Sequence, residues 1–180
     1  TGGPFQTIEI NKKISEIAAE AEIGMAVGSQ TIAYDSISAR ESFEITRKCN
    51  PKGLLLANVS ANCDYRIAQD AIEMIEADAL QLHLNPAQEI FMEEGDRCFK
   101  SIEENIGIIK QMVDVPVIVK EVGFGISVET AKKVSQQGIE WIDISGTGGK
   151  NFLKIECARF SNNGVTVMEE WEFPTASSIL

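Results

Sequence analysis

Ala79-Leu80-Gln81-Leu82-His83-Leu84-Asn85-Pro86-Ala87-Gln88-Glu89 is the stretch that decides how this chain is read. Its first half alternates strictly. Leu80, Leu82 and Leu84 fall on one face of a strand, and Gln81, His83 and Asn85 on the other. Pro86 has no N–H to give a ladder and ends the strand. Gln88 and Glu89 follow on the turn. The only histidine of the chain thus stands among two amides and a carboxylate at the carboxyl end of an apolar strand. Polar groups on a buried face are costly unless they meet partners or a ligand. A hydrogen-bonded core cluster would satisfy them, but five polar residues within nine positions favour a site.

Working outward, the same arrangement recurs. Strands are expected at about 25–29, 54–58, 79–85, 115–121 and 141–145, separated by helical patterns. The first helix runs from about Thr7, with Ile10, Ile14, Ile17, Ala18 and Ala21 as its buried stripe and Gly24 as its stop. The next covers about Ser36–Cys49. Asp64 caps a helix with Ala68, Ala71, Ile72 and Ile75 inward. Ser101-Ile102-Glu103-Glu104 reads as a capping box before Ile106, Ile109 and Val113. Ser127 to about Gln137 is a further helix, stopped by Gly138, and Pro174-Thr175-Ala176 starts another. Helix–strand alternation with short connections demands parallel strands with helical crossovers. Each strand ends near a polar residue: Ser29, Asn58, His83 with Asn85, Lys120 and Ser145. That repetition suggests a barrel with its site on the carboxyl face. A doubly wound sheet would gather ligands at a single switch point instead.

Composition bounds the chemistry. The 180 residues carry a net charge of −11, which argues against nucleic acid or an acidic membrane surface as partner. A small anion remains acceptable if a metal and a few local groups receive it. Cys49, Cys63, Cys98 and Cys157 form no C-x-x-C pair, so reduced thiols in a cytoplasmic protein are expected. No apolar run approaches the length of a membrane span. Lys120 leaves a strand of Val117-Ile118-Val119 and reads either as a salt-bridge partner of Glu121 or Asp143, or as a cation opposite an electron-rich ring. Glu89 reads equally as a solvated carboxylate or as an oxygen ligand for Mg2+. Gly146-Thr147-Gly148-Gly149 lacks the spacing of a dinucleotide or P-loop motif.

Several pieces, in this order, carry a family resemblance. They are Thr1-Gly2-Gly3, Gly28-Ser29-Gln30, the 79–89 stretch, Glu94-Gly95-Asp96-Arg97, Val119-Lys120-Glu121-Val122-Gly123-Phe124-Gly125 and Asp143-Ile144-Ser145-Gly146. Together the chain resembles type 2 isopentenyl-diphosphate delta-isomerase, the FMN-dependent form. The resemblance extends to Gly149 and resumes at Pro174-Thr175. It implies an α/β fold of the (β/α)8 TIM-barrel, FMN-linked type. Residues 1–180 would be a single barrel domain, apparently a fragment without the first strand and the last two.

It further implies interconversion of isopentenyl and dimethylallyl diphosphates with FMN, NADPH and Mg2+, in a homo-oligomer of four or more subunits. Thr1, Ser29, Asn58, Lys120, Ser145 and Gly146 would bind the flavin. His83, Asn85 and Gln88 would face the substrate, and Glu89 would hold the metal. Two positions depart from the family pattern: Thr31 stands where Arg is frequent, and Glu93 where Pro is frequent. The alternatives are another FMN-dependent barrel, an oxidoreductase, and a non-catalytic barrel remnant that only self-associates.

Overall fold

A computed structural model describes residues 6–34, 36–90, 92, 95, 97–148, 151–160 and 174–179. The described elements, in chain order, are α1 (Gln6–Glu20), β1 (Met25–Ala26), a 3-10 turn (Gln30–Tyr34), α2 (Ile37–Cys49), β2 (Leu55–Ser60), α3 (Tyr65–Met74), β3 (Ala79–Leu84), α4 (Pro86–Glu89), α5 (Ile102–Met112), β4 (Val117–Glu121), α6 (Val128–Gln136), β5 (Trp141–Asp143), α7 (Phe152–Phe160) and α8 (Thr175–Ile179). No helix among the described residues is long and apolar enough to cross a membrane.

The five strands form one all-parallel half-barrel sheet in the order β1-β2-β3-β4-β5. The expected strands are therefore present, β1 and β5 shorter than anticipated. The expected (β/α)8 TIM barrel is not. Among the described residues the sheet is open, with β1 and β5 each paired on one side only. The inference of a barrel, incomplete in this chain, rested on a polar residue near every strand end. Register accounts for three of the strands without closure: Ser60 pairs with His83 and His83 with Lys120, so these side chains share one sheet face. One polar face of an open sheet thus produces the same periodic signal as a barrel lumen.

The opposite face makes the core. Ala57, Val59, Leu80, Leu82, Val117 and Val119 are fully buried, with Ala68, Ala71 and Ile75 from α3 and Ile106 and Ile109 from α5 in the same cluster. Burying each such aliphatic side chain is worth about 1.5–3 kcal/mol, which sets the register. Slipping a strand by one residue would turn its leucines onto the polar face. Arg47 secures the other end of the sheet. Its guanidinium donates to the carbonyls of Ile75, Asn50, Gly53 and Glu76 and to Asp78, whose Oδ2 also accepts from Leu55 N at 2.8 Å.

Of the two expected caps, Asp64 forms and Ser101 does not. Ser36, Asp64 and Ser127 each accept from a first-turn N–H. Ser101 precedes α5 but makes no side-chain cap bond, so the capping box is not formed. Of the stripe expected on α1 only Ala18 is buried. Ile10, Ile14 and Ile17 are exposed, while Thr7, Asn11, Ser15 and Ala18 are buried. The polar pair is accepted inside because it is satisfied: Asn11 Nδ2 donates to Ser42 O at 2.7 Å and Ser15 Oγ to Asn11 O at 2.7 Å. Small, paired residues let α1 lie close against α2, and isoleucines in their place would hold the helices apart.

This assignment has a direct check. Asn11→Ala should cost about 1–3 kcal/mol, because it strips a buried hydrogen bond, whereas Ile14→Ala should stay within about 0.5 kcal/mol. Urea midpoints of the two variants measure the difference; the reverse order would mean that the isoleucine stripe faces the core.

Candidate functional site

Parallel strands bring their carboxyl ends to one edge of the sheet, and there the described residues enclose a cavity of about 750 Å3. Its walls include Ser29, Asn58, Gln81, His83, Asn85, Gln88, Glu89 and Lys120. The residues come from the ends of β1 to β4 and from α4. A cavity of this volume is in the range of small-molecule sites.

The polar face is closely wired. Asn58, Gln81, His83 and Asn85 are only 7–9% exposed. Asn58 Nδ2 donates to Gln81 Oε1 at 3.0 Å, and Asn58 Oδ1 lies 3.0 Å from His83 Nδ1. Asn85 Nδ2 donates to Glu89 Oε1 at 2.6 Å, across the single turn that Pro86 begins. That bond orients the Glu89 carboxylate. The loop beyond α4 holds it from behind: Arg97 donates to the backbone oxygens of Glu89, Gly95 and Met92. A Cβ on Gly95 would sit 2.0 Å from Glu89 O, so no larger residue fits there without moving that turn. Lys120 Nζ donates to Glu121 O at 2.7 Å. It is therefore anchored by a carbonyl, not by the carboxylate of Glu121, which instead accepts from Gly123 N and Phe124 N.

Burial pushes His83 down from the ordinary 6.5 to about 4, and the nearby Lys120 charge adds to the effect. The ring is neutral at physiological pH. Glu121 is raised by its burial, against the lowering effect of the backbone N–H groups it accepts from. Burial likewise raises Cys63 to about 12, which removes it as a thiolate nucleophile. The described residues hold no cluster of three or more His, Cys, Asp or Glu suited to a metal.

Most of the residues singled out by sequence meet here: Ser29, Asn58, His83, Asn85, Gln88, Glu89 and Lys120. Ser145 and Gly146 do not line the cavity. Their N–H groups are engaged by Asp143 Oδ1 and Thr175 Oγ1 beyond the end of β5. Thr1 lies outside the described residues, as do Glu93, Glu94 and Asp96 of the acidic run. Gly28, Thr31 and Ser60 line it too, as do the apolar Val27, Met92, Val122 and Phe152, which the sequence pattern does not single out. Single apolar side chains carry no periodic signal. Phe152 in particular comes from α7, in a segment whose sequence shows no clear face.

Fold and cavity together define the class: a parallel α/β protein with a polar cavity at the carboxyl ends of its strands. Comparison with known proteins narrows this. The chain is 49% identical over 179 residues to isopentenyl-diphosphate delta-isomerase of Geobacillus sp. (strain WCH70), covering 99% of this chain and 51% of that protein. It is 46% identical to that of Bacillus pumilus (strain SAFR-032), and 43% identical to that of Listeria innocua serovar 6a, covering about half of each. The chain thus spans about half the length of the curated relatives it matches. No family model matches. Among solved structures, 3-hexulose-6-phosphate synthase superposes with a TM-score of 0.52 at 13% identity, covering 86% of this chain and 70% of that one. At that identity the likeness concerns the parallel α/β fold alone.

These findings correct the narrower expectation. The relatives carry the name isopentenyl-diphosphate delta-isomerase with no type and no flavin. The type 2, FMN-dependent assignment is accordingly withdrawn, along with the incomplete (β/α)8 barrel that came with it. The likeness is to isopentenyl-diphosphate delta-isomerase without a subtype.

The His83 shift has a sign that can be tested. The unfolded chain takes up a proton near 6.5 and the folded one only near 4. Stability from the neutral ring is complete above about 6.5 and is lost as pH falls toward 4, by up to roughly 3 kcal/mol. Comparing urea midpoints at pH 7.5 and 4.5 should give a smaller loss in His83→Gln than in the unaltered chain. An equal loss in both would place the acid-sensitive group elsewhere.

Proposed function

We propose that the cavity binds an isoprenoid diphosphate and belongs to an enzyme interconverting isopentenyl and dimethylallyl diphosphates. The observation that carries this reading is the convergence of His83, Asn85, Gln88, Glu89 and Lys120 on one cavity in a chain 49% identical to a protein of that name. The chemistry requires a proton to add at one end of a three-carbon unit and another to leave from the far end, with no net redox change. A diphosphate needs countercharge, and Lys120 is the one lysine or arginine among the described lining residues.

Mg2+ is the part of the expected cofactor set with the most direct support. Glu89 is a carboxylate held at 2.6 Å by Asn85. A single protein carboxylate suits Mg2+, which keeps waters and takes substrate phosphate oxygens for the rest of its sphere. FMN, with NADPH as its reductant, is a finer reading that no relative's name carries. The residues fit a flavin in part: Ser29, Asn58 and Lys120 line the cavity, whereas Ser145 and Gly146 lie off it. Bound there, a reduced flavin would supply a proton-carrying ring. The chain's own groups have separate tasks. Lys120 stabilises negative charge, Gln88 offers an uncharged amide that orients the substrate, and the apolar Val27, Met92, Val122 and Phe152 keep water from the hydrocarbon part. A homo-oligomer in the cytoplasm belongs to the same reading.

The test is conversion of isopentenyl diphosphate in deuterated water with Mg2+, run with and without FMN and NADPH. Deuterated dimethylallyl diphosphate is the expected product. Its formation without flavin would remove the cofactor from the reading, and no product under any condition would overturn the reading itself. Glu89→Gln should raise the Mg2+ concentration needed for half-maximal rate. Gln88→Ala should lower kcat by about tenfold or more without loss of folding by circular dichroism.

A further inference from the structure

Asn58 is tied into the protein at three points. Its backbone N–H donates to Gln30 Oε1 at 2.9 Å, its Nδ2 to Gln81 Oε1 at 3.0 Å, and its Oδ1 faces His83 Nδ1 at 3.0 Å. Gln30 is itself held. It is fully buried, and its Nε2 donates to Ala71 O at 2.9 Å on α3. A carbonyl at one end and an N–H at the other leave the Gln30 amide only one orientation. Asn58 is thereby fixed in position from the chain's deepest layer, between the two polar residues that β3 turns toward the cavity.

The charges around the ring select its form. His83 pairs in register with Lys120 on β4 and with Ser60 on β2, and no carboxylate lies in either register position. A neighbouring ammonium favours a ring that turns a lone pair, not an N–H, to the open side. That ring must then carry its hydrogen on Nδ1, where Asn58 Oδ1 is the acceptor.

We propose that Asn58 is a positioning residue: it accepts from Nδ1–H, holds His83 as the Nδ1-protonated neutral tautomer, and leaves Nε2 as a lone-pair acceptor on a cavity wall. The ligand chemistry follows. Nε2 receives a group that brings a hydrogen, such as a water carried by a metal or a protonated phosphate oxygen, and it repels a bare anionic oxygen. His83 is therefore not the countercharge of the diphosphate. That last step rests on the isomerase reading; the tautomer does not.

His83 is the only histidine of the chain, so its side-chain nitrogens are identified in a 15N-labelled sample without assignment. At pH 7 a long-range 1H–15N correlation spectrum should show a pyrrole-type Nδ1 and a pyridine-type Nε2. Asn58→Leu should invert the pattern, because free imidazole of histidine favours the Nε2-protonated form. Asn58→Asp keeps an acceptor and should restore the original one. In isomerisation assays Asn58→Leu should lose about tenfold or more in kcat, the usual effect of removing a histidine's supporting partner. A wild-type spectrum with Nε2 protonated, as when Asn58 and Gln81 are both turned over, would overturn the proposal. So would an unchanged tautomer in folded Asn58→Leu. Should Asn58→Leu fail to fold, the wild-type and Asn58→Asp spectra still decide. The expected tautomer in a protein without isomerase activity would sink the function and leave the positioning role intact.

Discussion

The structure depends on how one buried sheet face keeps its polar groups satisfied. Asn58, Gln81, His83 and Asn85 are nearly as inaccessible as the leucines behind them. Leaving any one of their buried donors or acceptors unpaired costs about 1–3 kcal/mol. The solution is a relay of amides that starts in the interior at Gln30 and ends at the cavity. Because each member needs the next, the relay adds to the register that the aliphatic layer sets. It also keeps His83 in an environment where its charge is excluded.

The two faces of the sheet therefore divide the work. The helix-covered face, from Ala57 and Val59 through Leu82 to Val119, supplies the hydrophobic stabilisation. The other face loses that contribution and gains a site. Lys120 Nζ is anchored on that face by the carbonyl of Glu121, whose carboxylate accepts instead from the N–H groups of Gly123 and Phe124. Glu89 is oriented there by Asn85 and backed by the Arg97 loop.

Much of this was legible in the residues. The 79–89 stretch placed His83, Asn85, Gln88 and Glu89 together because a two-residue period followed by proline leaves little freedom. Lys120 was legible for the same reason, as a lone charge at the end of a β-branched run. Ser145 and Gly146 were placed less well. β5 is short and at the edge, so its following loop turns to Thr175 and away from the cavity. On α1 only Ala18 follows the expected stripe. The rule that isoleucines face inward ignores that Asn11 and Ser15 can be buried at little cost when their hydrogen bonds close locally and against α2.

By itself the sequence determined the order of helices and strands, the parallel sheet they require, and the polar side of β3, since these follow from periodicity and from proline and glycine stops. Tertiary structure alone decided that α1 packs by its polar stripe and that Asn58 supports His83 as well as lining the cavity. Each of these depends on a contact between segments more than twenty residues apart, and no local pattern encodes which distant atom will be the partner.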